Sequence, residues 1–419
     1  MYFSRRRPVT QSLALFAACV ALCGGTPARA DKIGDWVTGL RSTSVATRAD
    51  AVEALAKEAQ TRNGRINCRP AYPALLNTLG DPVESVRKQA LRALASLSSA
   101  SDAGTLAQLL DSRDAHKREA GAVLLGIVGD RGSGPRLARA AGDPDILVRA
   151  AATEALGALG DPRAATTVTP LLSDRSARVR VKAAAALGVL RSRESAPAIV
   201  RLLEDKDEGV QRAAAVALAR IASPIVAPDL MRIVERSTGQ TRFGIRFYAA
   251  YALGALGDRR AVPVLIRGLI DRDRDVRVAA AAALSQLRDP AAAPGLIAGM
   301  RDSSDLMRWT CAQALGNLRD RRAVPELIRG LKDKNEDVRE QSAKALGKIG
   351  DRSAVAGLIA VFGDSDEAIP KTAVLALGRI GDRAALPAVK RLLNHKDSGV
   401  RLAAAEVVKT LSADPTPRR

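Results

Sequence analysis

The chain has 419 residues, and its 65 basic and 45 acidic side chains give a formal net charge of +20. Only 3% of the residues are aromatic, which argues against one large globular core and favours an array of repeats that pack only on their neighbours. Beyond residue 30, no apolar stretch is long enough to span a bilayer.

Residues 1–30 have the composition and order of a secretory signal peptide. Three arginines, Arg5–Arg7, precede a short apolar core, and Ala28-Arg29-Ala30 fits a small-residue cleavage site. The sequence therefore predicts an exported protein, periplasmic or secreted, with a folded domain at 31–411 and a disordered tail at 412–419. The apolar core is too short to favour an uncleaved membrane anchor. A lipoprotein anchored at Cys19 is the minor alternative, because Phe-Ala-Ala-Cys weakly resembles a lipoprotein box.

An arginine recurs at one position of a repeat along the rest of the chain. Most steps are 31 residues; the first is 39, and the step from Gln211 to Arg246 is 35. Gln211 and Pro370 fill the two positions that lack the arginine. A fixed period of this length is typical of stacked repeat arrays. The arginines are Arg48, Arg87, Arg118, Arg149, Arg180, Arg246, Arg277, Arg308, Arg339 and Arg401.

Each repeat predicts a helical hairpin. In residues 258–288 the apolar positions of both halves fall at helical spacing, and neither half is apolar enough to be stable alone. Pairs such as Gly257-Asp258 predict a left-handed cap followed by the start of the next element. The predicted fold class is all-α: a right-handed α-solenoid of about twelve hairpins from Asp31 to Leu411.

An aspartate stands six residues before most of these arginines, with a hydrophobe directly before the arginine. The pattern resembles HEAT-like repeats of the phycobilisome-lyase type over nearly all the chain after residue 30. That family includes adaptors, lyase subunits, a metal-dependent hydroxylase and DNA-repair proteins, so the resemblance implies the fold and leaves the function open.

The residues themselves predict a structural role for this pattern. Each guanidinium can bridge its own turn and the carboxylate of the next repeat, which gives a ladder along the array. The predicted ladder residues are Arg87 and Asp81, Arg149 and Asp143, Arg180 and Asp174, Arg277 and Asp271, Arg308 and Asp302, and Arg339 and Asp333.

Residues typical of catalytic and metal sites are sparse. The chain has two histidines, His116 and His395, which lie far apart, and it has no His-Glu pair, phosphate loop or nucleophile elbow. Cys68 and Cys311 stand in repeats too distant for a disulfide. We expect both thiols to be free, with a bond from Cys68 to another chain as the alternative. The sequence thus predicts a non-catalytic protein without a metal or cofactor, while a lyase or hydroxylase subunit is an alternative by family analogy.

Positions one and five after each arginine should face outward if hydrophobes such as Val276 and Leu284 face inward. In the middle repeats these positions are mostly apolar and aromatic residues cluster, which predicts a partner groove on the concave surface. Alternatively, neighbouring helices or the inserted loop Ser237–Phe243 bury this strip. The predicted partner-binding residues are Val181, Val216, Phe247, Tyr251, Val278 and Trp309.

Six further arginines share one slot in the turns between repeats. They predict a ridge that attracts polyanions, such as an anionic envelope polymer; the alternative is an ordinary solvated surface. Export would remove the protein from the genome, so no nucleic acid is expected, and the oligomeric state is left open. The ridge residues are Arg131, Arg193, Arg259, Arg321, Arg352 and Arg383.

Overall fold

The computed structural model describes residues 27–61, 67–236 and 244–412, with side chains from residue 32 onward. The chain divides into an N-terminal unit, Met1–Leu190, and a C-terminal unit, Arg191–Arg419. Most of the predicted signal peptide, the predicted loop Ser237–Phe243 and the tail after Ser412 lie outside the described residues.

The N-terminal unit consists of hairpins in which a long second helix follows a shorter first one. Its first helix begins at Pro27, so the predicted cleavage site lies in the first turn of that helix. The helices are α1 (Pro27–Gly39), α2 (Val45–Ala59), α3 (Tyr72–Thr78), α4 (Glu84–Leu97), α5 (Ala103–Leu109), α6 (Ala115–Val128), α7 (Gly134–Ala140), α8 (Ile146–Leu159), α9 (Ala165–Val168) and α10 (Ala177–Leu190).

The C-terminal unit repeats the same alternation. Its helices are α11 (Ala196–Arg201), α12 (Glu208–Ile221), α13 (Ala227–Glu235), α14 (Ile245–Leu256), α15 (Val262–Gly268), α16 (Arg274–Leu287), α17 (Ala293–Gly299), α18 (Asp305–Leu318), α19 (Val324–Gly330), α20 (Glu336–Ile349), α21 (Val355–Ala360), α22 (Ala368–Ile380), α23 (Leu386–Arg391) and α24 (Ser398–Ser412).

Short 3₁₀ turns lead into the first helix of most hairpins, and three of these turns follow or extend such a helix. They are Arg69–Ala71, Ala100–Asp102, Arg131–Ser133, Pro162–Ala164, Thr169–Ser173, Leu202–Glu204, Pro224–Val226, Arg259–Ala261, Pro290–Ala292, Arg321–Ala323, Arg352–Ala354, Arg383–Ala385 and Leu392–Asn394. The described residues thus form twelve hairpins and contain no strand, which confirms the predicted all-α solenoid. Its right-handed sense stays a prediction.

The second helices carry the core of each unit. Val276 and Leu284 of α16 are 1% and 0% exposed, so the predicted inward face of the repeat is confirmed. Within the C-terminal unit α16 packs on α14 and on α18. Burying a leucine fully stabilises the folded state by about 1.5–3 kcal/mol, and every repeat contributes such residues to its neighbours.

Glycine allows the second helices to approach closely at a position that the sequence analysis did not single out. Eight residues after Arg308, a Cβ on Gly316 would lie 2.9 Å from Cα and Cβ of Ala345 on α20. A Cβ on Gly254 would lie 2.7 and 2.8 Å from Cα and Cβ of Ala283 on α16. Because such a contact leaves no room for a methyl group, the glycine sets the spacing between these helices.

The predicted caps between repeats are confirmed. Gly257 ends α14 with φ +73°, and the side chain of Asp258 accepts the backbone N–H of Arg260. Four other residues adopt the same left-handed conformation without being glycine: Arg191, Ala222, Arg288 and Arg319.

Both cysteines of the predicted domain are buried. Cys68 and Cys311 are 0% exposed. The burial of Cys68 argues against the alternative in which its sulfur bonds to another chain. None of the helices in the described part is both long and apolar enough to cross a membrane.

Candidate functional site

Each rung of the arginine ladder connects two consecutive repeats. Nε and Nη2 of Arg277 donate hydrogen bonds to the two carboxylate oxygens of Asp302 at 2.8 and 3.0 Å. Its Nη1 donates to the backbone carbonyl of Asp271, six residues earlier, at 2.9 Å. One guanidinium therefore holds its own turn and the carboxylate of the next turn, as the sequence pattern predicts.

The same paired geometry recurs in both units. In the N-terminal unit it joins Arg48 to Asp81, Arg118 to Asp143 and Arg149 to Asp174. In the C-terminal unit it also joins Arg308 to Asp333 and Arg339 to Asp364. Arg246 binds both carboxylate oxygens of Asp271 through Nη1 and Nη2 instead, and its Nε donates to the backbone carbonyl of Val234 at 3.2 Å.

The environment of the rungs keeps both partners charged. Burial raises the pKa of Asp333, but the hydrogen bonds from Arg308 and from the backbone of Asn335 outweigh burial and hold the pKa of that carboxyl below its usual range. The hydrogen bond to Asp333 raises the pKa of Arg308, which burial alone would lower. The side chains of Arg308 and Asp333 are 7% and 13% exposed, so this ion pair is shielded from solvent and salt.

Arg87 and Gln211 do not form a complete rung. Arg87 donates only to the carbonyls of Asp81 and Pro82 within the described residues; Ser112 stands where the next aspartate would be. Gln211 donates to the carbonyl of Asp205 at 2.7 Å, and its buried Oε1 has no hydrogen-bond partner among the described residues. The ladder is thus interrupted where an arginine or its aspartate is missing.

Arg180 keeps the bond to its own turn, because its Nη1 donates to the carbonyl of Asp174 at 2.9 Å.

The predicted partner-binding residues all lie on second helices. Val181 belongs to α10 of the N-terminal unit; in the C-terminal unit Val216 lies on α12, Phe247 and Tyr251 on α14, Val278 on α16, and Trp309 on α18. Tyr251 and Val216 are 40% and 38% exposed, and the other four are half-buried. In the C-terminal unit, helices α12, α14, α16 and α18 pack side by side in this order.

The aromatic residues of α14 are ordered against each other. The rings of Phe247 and Tyr248 meet edge to face, with centroids 5.2 Å apart and an interplanar angle of 78°. Burial raises the pKa of Tyr248, and the neighbouring carboxylate of Glu208 adds to this shift. Because the rings hold each other in place, they lose little freedom when a partner packs on them.

An open depression of about 350 Å³ lies beside Trp309. Asp305 and Leu306 of α18 line it together with Asn335 and Asp337 of the next repeat. Leu306 is 48% exposed. The sequence analysis missed these four residues because acidic and amide side chains at helix starts are usually caps, and because only packing brings Asp337 next to Trp309.

All six ridge arginines are exposed. Arg131 lies in the N-terminal unit and the other five in the C-terminal unit. Nε of Arg131 donates to the carbonyl of Leu159 at 3.4 Å, and Arg321 lies 3.6 Å from the carboxylate of Asp351. Most of the ridge charge therefore faces solvent, while the arginine that directly follows in some turns, such as Arg260, is held by its own cap aspartate.

Potential metal and nucleophile sites were sought in the described part of the chain. There, no three His, Cys, Asp or Glu side chains are grouped so that they could hold a metal ion. Burial raises the pKa of the Cys311 thiol well above its usual range, so this thiol is protonated and unreactive at neutral pH.

Sequence comparison identifies the repeats. Residues 104–417 match HEAT repeats in five overlapping segments, 104–176, 165–244, 241–310, 293–371 and 355–417, and residues 71–101 match a further HEAT repeat. The chain belongs to the HEAT repeat family. The match does not single out the phycobilisome-lyase type, and none of the curated protein sequences matches this HEAT-repeat chain significantly.

Solved structures of karyopherins share this HEAT-repeat fold. Kap95p, described as yeast importin-beta, in its complex with RanGDP is 13% identical, with a TM-score of 0.68 and coverage of 95% of this chain and 66% of that one. Kap121p bound to Pho4p is 14% identical, with a TM-score of 0.59 and coverage of 97% and 52%. The chain spans between about half and two thirds of these proteins, and at such identities the likeness shows the fold alone.

Proposed function

We propose that this HEAT-repeat protein is a non-catalytic scaffold that binds a protein or peptide partner along the strip Val216–Phe247–Tyr251–Val278–Trp309 of the C-terminal unit, on the predicted concave surface. The observation that carries the proposal is the partial exposure of these side chains on adjacent helices. A chain that is only 3% aromatic places three aromatic side chains on this one face.

The physical basis is burial of half-exposed apolar area. Each aromatic side chain that a partner covers fully contributes at most about 1.5–3 kcal/mol, and a few such anchors usually dominate an interface. Kap95p binds RanGDP and Kap121p binds Pho4p in the structures that share the fold. These complexes show that proteins with this architecture bind other proteins, which supports the proposal.

A paired pull-down tests the proposal. One bait is the purified protein; the other carries Phe247→Ala, Tyr251→Ala and Trp309→Ala and is checked for an unchanged melting temperature. At physiological salt, an envelope extract of the source organism should yield a protein that only the first bait retains. Equal recovery by both baits would contradict an aromatic docking site.

We also propose that the protein is exported and acts in the cell envelope, on the evidence of its N-terminal composition. The intact mass of the protein recovered from its native compartment should correspond to a chain that begins at Asp31. A mass that includes a diacylglycerol on Cys19 would instead establish the lipoprotein, and an unprocessed cytoplasmic chain would contradict both.

Polyanion binding through the ridge is the second candidate, because all six of its arginines are exposed. Its affinity for an anionic envelope polymer should fall steeply between low and physiological salt, since counterion release drives such binding. Binding along the apolar strip should change little over the same range, so a salt titration separates the two functions.

A lyase or hydroxylase subunit is the remaining alternative by family analogy. Elemental analysis of the purified protein tests directly whether it is a subunit of a metal-dependent hydroxylase. A stoichiometric bound metal would contradict the non-catalytic, metal-free scaffold proposed here.

A further inference from the structure

The depression beside Trp309 combines apolar and anionic surfaces. Trp309 is half-buried and Leu306 is 48% exposed, so both keep apolar area available to a ligand. Asp305 and Asp337, which line the same depression, are exposed. The depression is open to solvent and, at about 350 Å³, has room for one long side chain.

The two carboxylates differ from the acidic groups that bind arginines in this chain. The ladder aspartates each bind an arginine, and cap aspartates such as Asp320 bind a neighbouring one. Asp305 instead accepts the backbone N–H of Leu306 at 2.8 Å and the amide of Asn335 at 3.4 Å. Neither Asp305 nor Asp337 forms an ion pair within the described residues, so the depression carries uncompensated negative charge in a chain of net charge +20.

We propose that this depression binds a lysine or arginine side chain from a peptide segment of the partner. The inference rests on the proposed function and adds a partner chemistry to it. The cation lies against the Trp309 ring between Asp305 and Asp337, and its aliphatic stem packs on Leu306. Indole rings bind cations through their negative faces, carboxylates form charge-assisted hydrogen bonds with them, and long basic side chains bury their stems on apolar surface.

The position of the depression defines the rest of the ligand. Trp309 is also the last residue of the apolar strip on α14, α16 and α18. A partner that follows the strip therefore presents apolar side chains to Tyr251 and Val278 and a basic one to Trp309. An anionic partner is disfavoured at this end, because Asp305 and Asp337 would repel it.

Selection from a random heptapeptide library displayed on phage tests this chemistry with a defined probe. Four immobilised proteins are used: the wild type, D305N/D337N, the triple aromatic variant F247A/Y251A/W309A, and the control E194Q/E406Q. The control removes the same two charges at exposed carboxylates elsewhere in the C-terminal unit. All four are first required to melt within about 2 °C of each other.

The expected selection depends on the variant. Wild type and control should enrich peptides with a lysine or arginine next to apolar residues, and D305N/D337N should still enrich apolar residues without the basic one. A selected peptide should bind D305N/D337N about tenfold more weakly than wild type. Replacing its arginine by citrulline, which keeps the shape and removes the charge, should cause a similar loss.

The other outcomes separate the two proposals. Apolar enrichment without a basic residue on wild type, or equal basic enrichment on D305N/D337N, would overturn the cation site and leave the apolar docking strip standing. If wild type and the triple aromatic variant enrich the same peptides, or neither enriches any, the docking strip itself is wrong.

Discussion

The side chain of His395 accepts a backbone hydrogen bond in its turn, as the side chain of Asp364 does in the equivalent turn one repeat earlier. Nδ1 of His395 accepts the N–H of Asp397 at 3.1 Å, and Oδ1 of Asp364 accepts that of Asp366 at 3.0 Å. The guanidinium that would need a carboxylate at position 395 is also missing, because Pro370 occupies its place. The turn therefore keeps its hydrogen bond, while the rung between these two repeats lacks both its arginine and its carboxylate. No partly buried carboxylate is left without a cation.

Removing one guanidinium should destabilise the array. In Arg277→Ala, Asp302 would stay partly buried without its partner, and we expect a loss of about 3 kcal/mol of unfolding free energy. Urea denaturation and thermal melting measure the loss. Arg274→Ala is the matched control, since Arg274 is exposed and pairs, within the described residues, only with its neighbour Asp275. The change should cost less than about 1 kcal/mol. An unchanged melting temperature for Arg277→Ala would argue against the ladder.

The rungs also predict an acid-sensitive stability. The folded-state pKa of Asp333 lies below its ordinary value. The contribution of this carboxylate to the free energy of unfolding is therefore complete above the unfolded pKa of about 3.9, and it is lost as the pH falls through the folded pKa. The difference in unfolding free energy between wild type and Arg308→Gln should therefore be largest at pH 6 and should narrow below about pH 4. A gap that stays constant from pH 6 to pH 3 would show that the pair contributes no linked stability.

The left-handed caps predict a stabilising substitution. Ala222 has φ +48°, a conformation that costs a residue with a Cβ about 1 kcal/mol relative to glycine. Ala222→Gly should raise the unfolding free energy by about that amount. The reverse change, Gly257→Ala at φ +73° with nothing within 4 Å of the new methyl group, should lower it similarly. Equal melting temperatures for all three proteins would contradict the strain.

The close helix contact predicts a steric effect. In Gly316→Ala the new Cβ would lie 2.9 Å from the backbone of Ala345, which α18 and α20 can relieve only by moving apart. We expect a loss of about 1–3 kcal/mol of unfolding free energy. Gly104→Ala, also helical and with open space around the new Cβ, should be neutral or stabilising; destabilisation there as large as at Gly316 would point to a cause other than crowding.

The periodicity of the sequence alone was enough to predict the hairpins, the inward face with Val276 and Leu284, and the caps at Gly-Asp pairs. These features follow from local rules, because a 31-residue repeat fixes which residues share a helix face and which end a helix. The same reasoning placed Arg277 within reach of its own turn and a carboxylate of the next repeat.

Only the tertiary structure decided which groups of different repeats meet. It pairs Arg277 with Asp302, places Gly316 against Ala345, and brings Asp337 of α20 into the depression beside Trp309 of α18. Spacing along the chain gives the face of a helix but not the distance between helices, which is set by side-chain volume at the contact. For this reason the array could be predicted from the sequence, whereas the shape and charge of the surface beside Trp309 could not.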